Sequence, residues 1–282
     1  MTTDTPITVE RLDDGAIAIL TINRPTRRNA LDSQTLVDMH RLLDTLNGDP
    51  TLRAIVVTGT GVSFCSGADL KSQPGDLSDS AGVPYAELRS VATSTVAVTM
   101  AAQELMASAF EKVHRLRVPV IAAVNGFALG GGFALALACD IRYAARSATF
   151  GAVFIRHGVS ACDMGTSYFL PRLVGAARAA ELMLTGRVFD AAEAVAIGLV
   201  LEALDPSSLL DTAVAKAREI AHNSPLAVWM TKETMWQTID SPSLRHALDI
   251  ENRTQVMCTG NGDLANSFAA FRDDGTARWN PL

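Results

Sequence analysis

Val118-Pro119-Val120-Ile121-Ala122-Ala123-Val124-Asn125-Gly126-Phe127-Ala128-Leu129-Gly130-Gly131-Gly132 is the stretch that decides how this chain is read. The apolar run from Val118 to Val124 has the length and composition of a buried strand, and the run from Phe133 to Cys139 that of a buried helix. A glycine triplet between them lets a ligand approach the backbone closely. The first turn of a helix also leaves its N–H groups unpaired. Such groups suit a phosphate or a developing oxyanion. Taken alone, the segment fits a closely packed strand-to-helix crossing equally well.

A second segment shifts that balance. Phe64-Cys65-Ser66-Gly67-Ala68-Asp69-Leu70-Lys71 follows another buried strand, Ala54 to Thr58, with Gly59 and Gly61 between. Further motifs are Arg28-Asn29-Ala30-Leu31, Cys139-Asp140-Ile141 and Leu170-Pro171-Arg172-Leu173-Val174-Gly175. Two more are Glu181-Leu182-Met183-Leu184-Thr185-Gly186-Arg187 and Ala196-Ile197-Gly198-Leu199-Val200. Together they closely resemble the enoyl-CoA hydratase/isomerase (crotonase) family, from about Ile17 to beyond Gly198. The resemblance implies a spiral of ββα turns. It also implies that the N–H groups of Ala68 and Gly131 hold a thioester oxygen.

Bulk properties agree with a globular chain. Its 282 residues suffice for one large or two small domains. With 48% hydrophobic and 19% charged residues it can bury a substantial core. A net charge of −6 argues against nucleic acid as the main partner. Cys65, Cys139, Cys162 and Cys258 show no ligand spacing, so they read as small residues in a reducing compartment, not a metal site. Residues 1–10 lack a signal pattern, and Asn125 with the glycines interrupts the one long apolar stretch, so no membrane span is expected. The expected location is the cytoplasm.

Ile7 to Glu10 and Ala16 to Ile22 read as strands turning at Asp13-Asp14-Gly15. Asp32 to Leu46 reads as a helix with Asp32 or Ser33 as cap and Leu36, Met39, Leu43 and Leu46 on one face. Short strands are expected near Arg142 to Ala144 and Thr149 to Gly151. The rhythm of strands and helices fits α/β structure. After Asp205 only helices are expected: Ser207 to Ala221, Pro225 to Gln237, Ser243 to Cys258 and Gly262 to Arg272. This divides the chain into a core, residues 1–204, and a helical region, residues 205–282. The resemblance implies that the latter packs homotrimers, often paired into hexamers. Ser72 to Pro84 reads as a loop and Tyr85 to Arg117 as a long helix, either continuous or broken. This connection either covers the acyl end of a pocket or is a surface insertion.

The chemistry expected from the resemblance is enolate stabilisation of an acyl-CoA thioester, with CoA part of the substrate and no separate cofactor. Family members that hydrate enoyl-CoA use two glutamates; the matching positions here are Ala134 and Phe154. A methyl and a benzyl group cannot accept a proton. Asp163 matches a functional aspartate of some subgroups, including dienoyl-CoA isomerases; it could equally cap the following helix. His157 and Arg156 are weaker candidates, and His114 reads as structural or solvent-facing. Gly59-Thr60-Gly61 fails the dinucleotide pattern because Phe64 takes the third glycine's place. Asp69 reads as the anchor of its turn. Arg28, Ala30, Lys71 and Lys232 are candidates for the CoA handle, and Asp69, Leu70 and Phe154 are further substrate-binding candidates beside Ala68 and Gly131. The leading activity is one-base isomerisation through Asp163. Alternatives are a non-catalytic acyl-CoA binder and a dehalogenase- or thioesterase-like reaction at Asp163.

Overall fold

A computed structural model describes residues 5–71, 77, 80–273 and 275–282. The chain opens with β1 (Ile7–Leu12) and β2 (Ile17–Ile22), paired antiparallel across the Asp13-Asp14-Gly15 turn. Helix α1 (Ser33–Asn47) follows. Asp32 caps it by accepting the Thr35 N–H at 2.9 Å, and Leu36, Met39, Leu43 and Leu46 are buried. The cap satisfies a donor that the first helical turn would otherwise leave open.

A repeating unit then begins. β3 (Ala54–Gly59) and β4 (Ser63–Cys65) lead to α2 (Pro84–Val91) and α3 (Thr95–Arg115). β5 (Val120–Val124) and β6 (Phe127–Leu129) lead to α4 (Gly131–Ala138). β7 (Ile141–Ala145) and β8 (Thr149–Gly151) lead to α5 (Thr166–Val174) and α6 (Ala176–Thr185). β9 (Phe189–Asp190), α7 (Ala191–Ala196) and β10 (Ala203–Leu204) close the series.

In each unit the first strand joins a six-stranded sheet, ordered β1-β2-β3-β5-β7-β10. The second joins a four-stranded sheet, ordered β4-β6-β8-β9. This is the spiral of ββα turns that the motifs implied. Every residue of β3 and β5 is buried, as parallel strands covered on both faces require. α4 has no polar face, and all eight of its residues are buried.

The expected long helix is interrupted. α2 ends at Val91, and Ser94 caps α3, its hydroxyl accepting the Ala97 N–H at 3.2 Å. Most of the expected loop from Ser72 to Pro84 lies outside the described residues.

Beyond β10 the described residues form α8 (Pro206–Ala221), α9 (Pro225–Thr238), α10 (Leu244–Gly260) and α11 (Asp263–Arg272). α8 packs on β3 and β5 and buries Leu209, Ala213, Val214 and Ala217, so it shares the main core. α10 buries no residue. Among the described residues no helix is long and apolar enough to cross a membrane.

Candidate functional site

β4, β6 and β8 lie side by side and parallel in the small sheet. Their carboxyl ends therefore deliver three backbone turns to one place: Gly67-Ala68 after β4, Gly130-Gly131 after β6, and Val153-Phe154 after β8. The carboxyl edge of a sheet is where α/β proteins gather ligand-binding loops.

The first two turns touch. Gly67 has φ +92°, a left-handed conformation that favours glycine, and a Cβ there would stand 2.9 Å from the Leu129 carbonyl oxygen. Gly131 begins α4, so its N–H has no earlier helical carbonyl to meet. Ala68 pairs with Leu31 through its neighbours: Leu31 N–H donates to Gly67 O at 2.8 Å and Asp69 N–H donates to Leu31 O at 2.9 Å. Among the described residues, neither the Ala68 nor the Gly131 N–H has a hydrogen-bond partner. The third turn is tied in by the Gly130 N–H, which donates to Gly151 O at 2.9 Å. It places the Phe154 ring 3.7 Å from where a Cβ on Gly130 would stand.

Polar side chains hold these turns in register. Asn29, fully buried, accepts the Arg24 N–H at 2.9 Å and donates to the Thr60 carbonyl at 3.0 Å. Asn125 donates to the carbonyls of Gly59 and Gly61, both at 2.8 Å. The Arg24 guanidinium reaches the Ala30 carbonyl, Asp32 at 2.5 Å and Asp69 at 3.1 Å. Burial would raise the Asp69 carboxyl, but the Lys71 N–H and Arg24 together hold it below the usual aspartate range. Asp69 is thus an anchor of the turn.

Asp163 lies half-buried between β8 and α5. It does not cap α5: the cap position is Gly165, with no side-chain cap bond. Instead Gln103 of α3 donates to the Asp163 carboxylate. Burial pushes this carboxyl above the usual aspartate value, against the Gln103 and Met164 N–H groups that lower it. The next residue, Met164, is buried, and its sulfur stands 3.5 Å from the position of a Cβ on Gly131.

The match to known proteins decides the class. The family described as enoyl-CoA hydratase/isomerase matches residues 13–281. The chain belongs to the enoyl-CoA hydratase/isomerase family. It is 41% identical over 241 residues to a probable enoyl-CoA hydratase of Mycobacterium tuberculosis, covering 85% of this chain and 80% of that one. The crystal structure of an enoyl-CoA hydratase from Bacillus anthracis superposes with a TM-score of 0.86 at 32% identity, over 97% of this chain and 98% of that one. A structure described as a monofunctional enoyl-CoA isomerase from M. smegmatis matches with a TM-score of 0.70 at 35% identity, over 86% and 98% of the two chains.

Within this family member the remaining candidate residues fall in different places. Arg28 is exposed, its guanidinium 5.5 Å from the centre of the Phe127 ring, at the outer edge of the turns. Ala30 is buried beside it, and Leu70 and Lys71 are exposed beyond Asp69. Phe154 and Ala134 are buried.

Lys232 is held by two buried contacts. Its ammonium pairs with Asp140 at 2.8 Å and donates to the Val118 carbonyl at 3.1 Å. Val118 precedes β5, whereas the Gly131 turn follows β6. His114 packs between Phe169 and Trp236, at 4.9 and 4.5 Å between ring centres, and burial lowers its pKa. Arg156 and His157 are exposed. Cys65 and Cys139 are buried thiols pushed up to about 12.

Sequence reasoning missed Arg24, Gln103, Asn125 and Met164 as parts of the site. Asn29 had a signal, its place in Arg28-Asn29-Ala30-Leu31, but its role as a strap between strands appears only in three dimensions.

Proposed function

We propose that this protein binds an acyl-CoA thioester with its carbonyl oxygen between the N–H groups of Ala68 and Gly131, and catalyses double-bond migration through Asp163. The observation that carries this reading is the contact of the two glycine turns with both N–H groups unpaired among the described residues. Each such donor, aimed at an oxygen that gains charge, lowers a barrier by about 3 kcal/mol. The α-proton of the thioester, or the γ-proton of an enoyl thioester, then becomes accessible to a carboxylate base. Asp163 takes the proton as the C–H bond breaks, the electrons pass into the enolate, and the same carboxyl returns the proton to the other carbon.

A raised carboxyl pKa suits that exchange, because donor and acceptor forms are closer in energy near neutral pH. Ala134 and Phe154 offer no second proton acceptor, which supports one-base chemistry over hydration. The engagement of Asp163 with Gln103, not with the α5 N-terminus, favours an enzyme over a pure binder. Isomerisation of 3-hexenoyl-CoA, followed by the conjugated thioester's absorbance, tests the reading. Activity lost in Asp163→Asn supports it. Tight thioester binding with no isomerisation in the wild type would leave the non-catalytic binder.

Association into trimers or hexamers belongs to the same proposal. α10 and α11 expose Leu244, Val256, Phe268 and Phe271, a pattern suited to helix packing between subunits.

A further inference from the structure

Met164 holds a backbone conformation that a side chain makes costly. Its φ is +47°, in the left-handed region. Glycine would adopt it freely, yet the chain carries a large side chain there. The turn is fixed from the next residue onward: Gly165 has φ +83°, and a Cβ on it would stand 2.7 Å from the Phe169 ring. The strained backbone aims the Met164 thioether at Gly131. Sulfur and methyl lie 3.5 and 3.6 Å from where a Gly131 Cβ would be. The residue is 8% exposed. It also lines a cavity of about 370 Å³ between α3 and α5, together with Ser108, Phe169 and the charged Glu104 and Glu111.

We infer that Met164 is a specificity-determining residue that restricts the substrate to acyl thioesters unbranched at the α-carbon. The inference rests on the proposed thioester site. With the carbonyl oxygen at the Gly131 N–H and Asp163 beside the acyl carbons, the adjacent thioether is the apolar surface that faces the α-carbon. A linear acyl group gives the α-carbon only hydrogens on that side, whereas an α-methyl group needs the volume the thioether fills. Methionine suits the position because its flexible, polarisable end closes irregular gaps without offering a proton acceptor. Shortening it frees volume beside Gly131.

The test measures dissociation constants of butyryl-CoA and isobutyryl-CoA by titration calorimetry for the wild type, Met164→Ala and Met164→Leu. One methyl group misplaced in an apolar pocket changes affinity by roughly 10-fold or more. The wild type and Met164→Leu are expected to prefer butyryl-CoA by about that factor, and Met164→Ala to bind both within about threefold. Met164→Gly removes the side chain while easing the left-handed backbone, so it keeps the comparison available if Met164→Ala does not fold. An unchanged preference in the truncated variants, or a wild type indifferent to the branch, overturns the inference and leaves the thioester site standing. Failure of the wild type to bind either thioester overturns both.

Discussion

Gly67 and Gly131 stand so close that a Cβ on Gly67 would lie 3.0 Å from the Gly131 amide nitrogen. The two turns come from neighbouring parallel strands, so their spacing is set by the sheet and not by either loop. The same closeness leaves the Ala68 and Gly131 N–H groups beside one another.

The two glycines should respond differently to substitution. A Cβ on Gly131 meets nothing nearer than 3.5 Å, so Gly131→Val should still fold, at an overpacking cost of about 1–3 kcal/mol. Its branches nevertheless occupy the space beside the N–H. Affinity for butyryl-CoA should fall by roughly 100-fold, as for loss of a backbone oxyanion donor. Calorimetry with unchanged affinity would contradict the assignment of Gly131.

Asp163 should carry a stability signature. Its folded pKa is raised, so its stabilising contribution is full below the unfolded value of about 3.9 and is lost as pH rises through the folded value. The ionised carboxylate therefore costs stability at neutral pH, and Asp163→Asn removes that cost. Urea unfolding should find the Asn variant at least as stable as the wild type at pH 7, with its advantage shrinking at acidic pH. An Asn variant that is less stable at pH 7 than at pH 4, relative to the wild type, would reverse the sign.

Hydration should be slow. The resemblance implies that Ala134 and Phe154 take the positions of the two carboxylates used in hydration, and neither side chain can hold a proton. Crotonyl-CoA should be hydrated well below the roughly 1–1000 per second of an ordinary enzyme. A turnover inside that range, measured by loss of the conjugated absorbance, would mean that another acid–base pair serves the water.

Lys232→Ala should damage the fold rather than the CoA contact. It leaves the Asp140 carboxylate, with only 11% of its side chain exposed, without its cation. Breaking such a pair costs about 3–5 kcal/mol. Removing both partners in Asp140→Asn/Lys232→Met should recover much of that loss in denaturant titrations. A weaker CoA affinity with unchanged stability would restore Lys232 to the ligand site.

The large sheet was legible because β3 and β5 are continuous apolar runs with turn residues at their ends. The glycine turns were legible because few other segments put glycine directly between a strand and a helix. Of the small sheet only β8 was legible, as the short strand expected near Thr149 to Gly151. β4 and β6 span three residues each and β9 two, too short to display a period. Lys232 and Asp140 meet only through the packing of α9 against the start of β5, and an isolated lysine in sequence suggests surface. Asp163 looked equally like a cap or a base because the sequence does not say which residue begins α5. Gly165 takes that position. The left-handed Met164 gave no signal at all, since methionine has no preference for that conformation.

The central claim is that the paired turns acidify a thioester and Asp163 moves the proton. Exchange of the α-protons of butyryl-CoA in D₂O, followed by NMR for the wild type, Gly131→Val and Asp163→Asn, tests it most directly. The account predicts exchange catalysed by the wild type and slowed by roughly 100-fold or more in each variant, with the Asn variant still binding the thioester. Equal exchange in the wild type and Asp163→Asn would remove Asp163 from the chemistry, and no exchange in any of the three would contradict enolate formation at these turns.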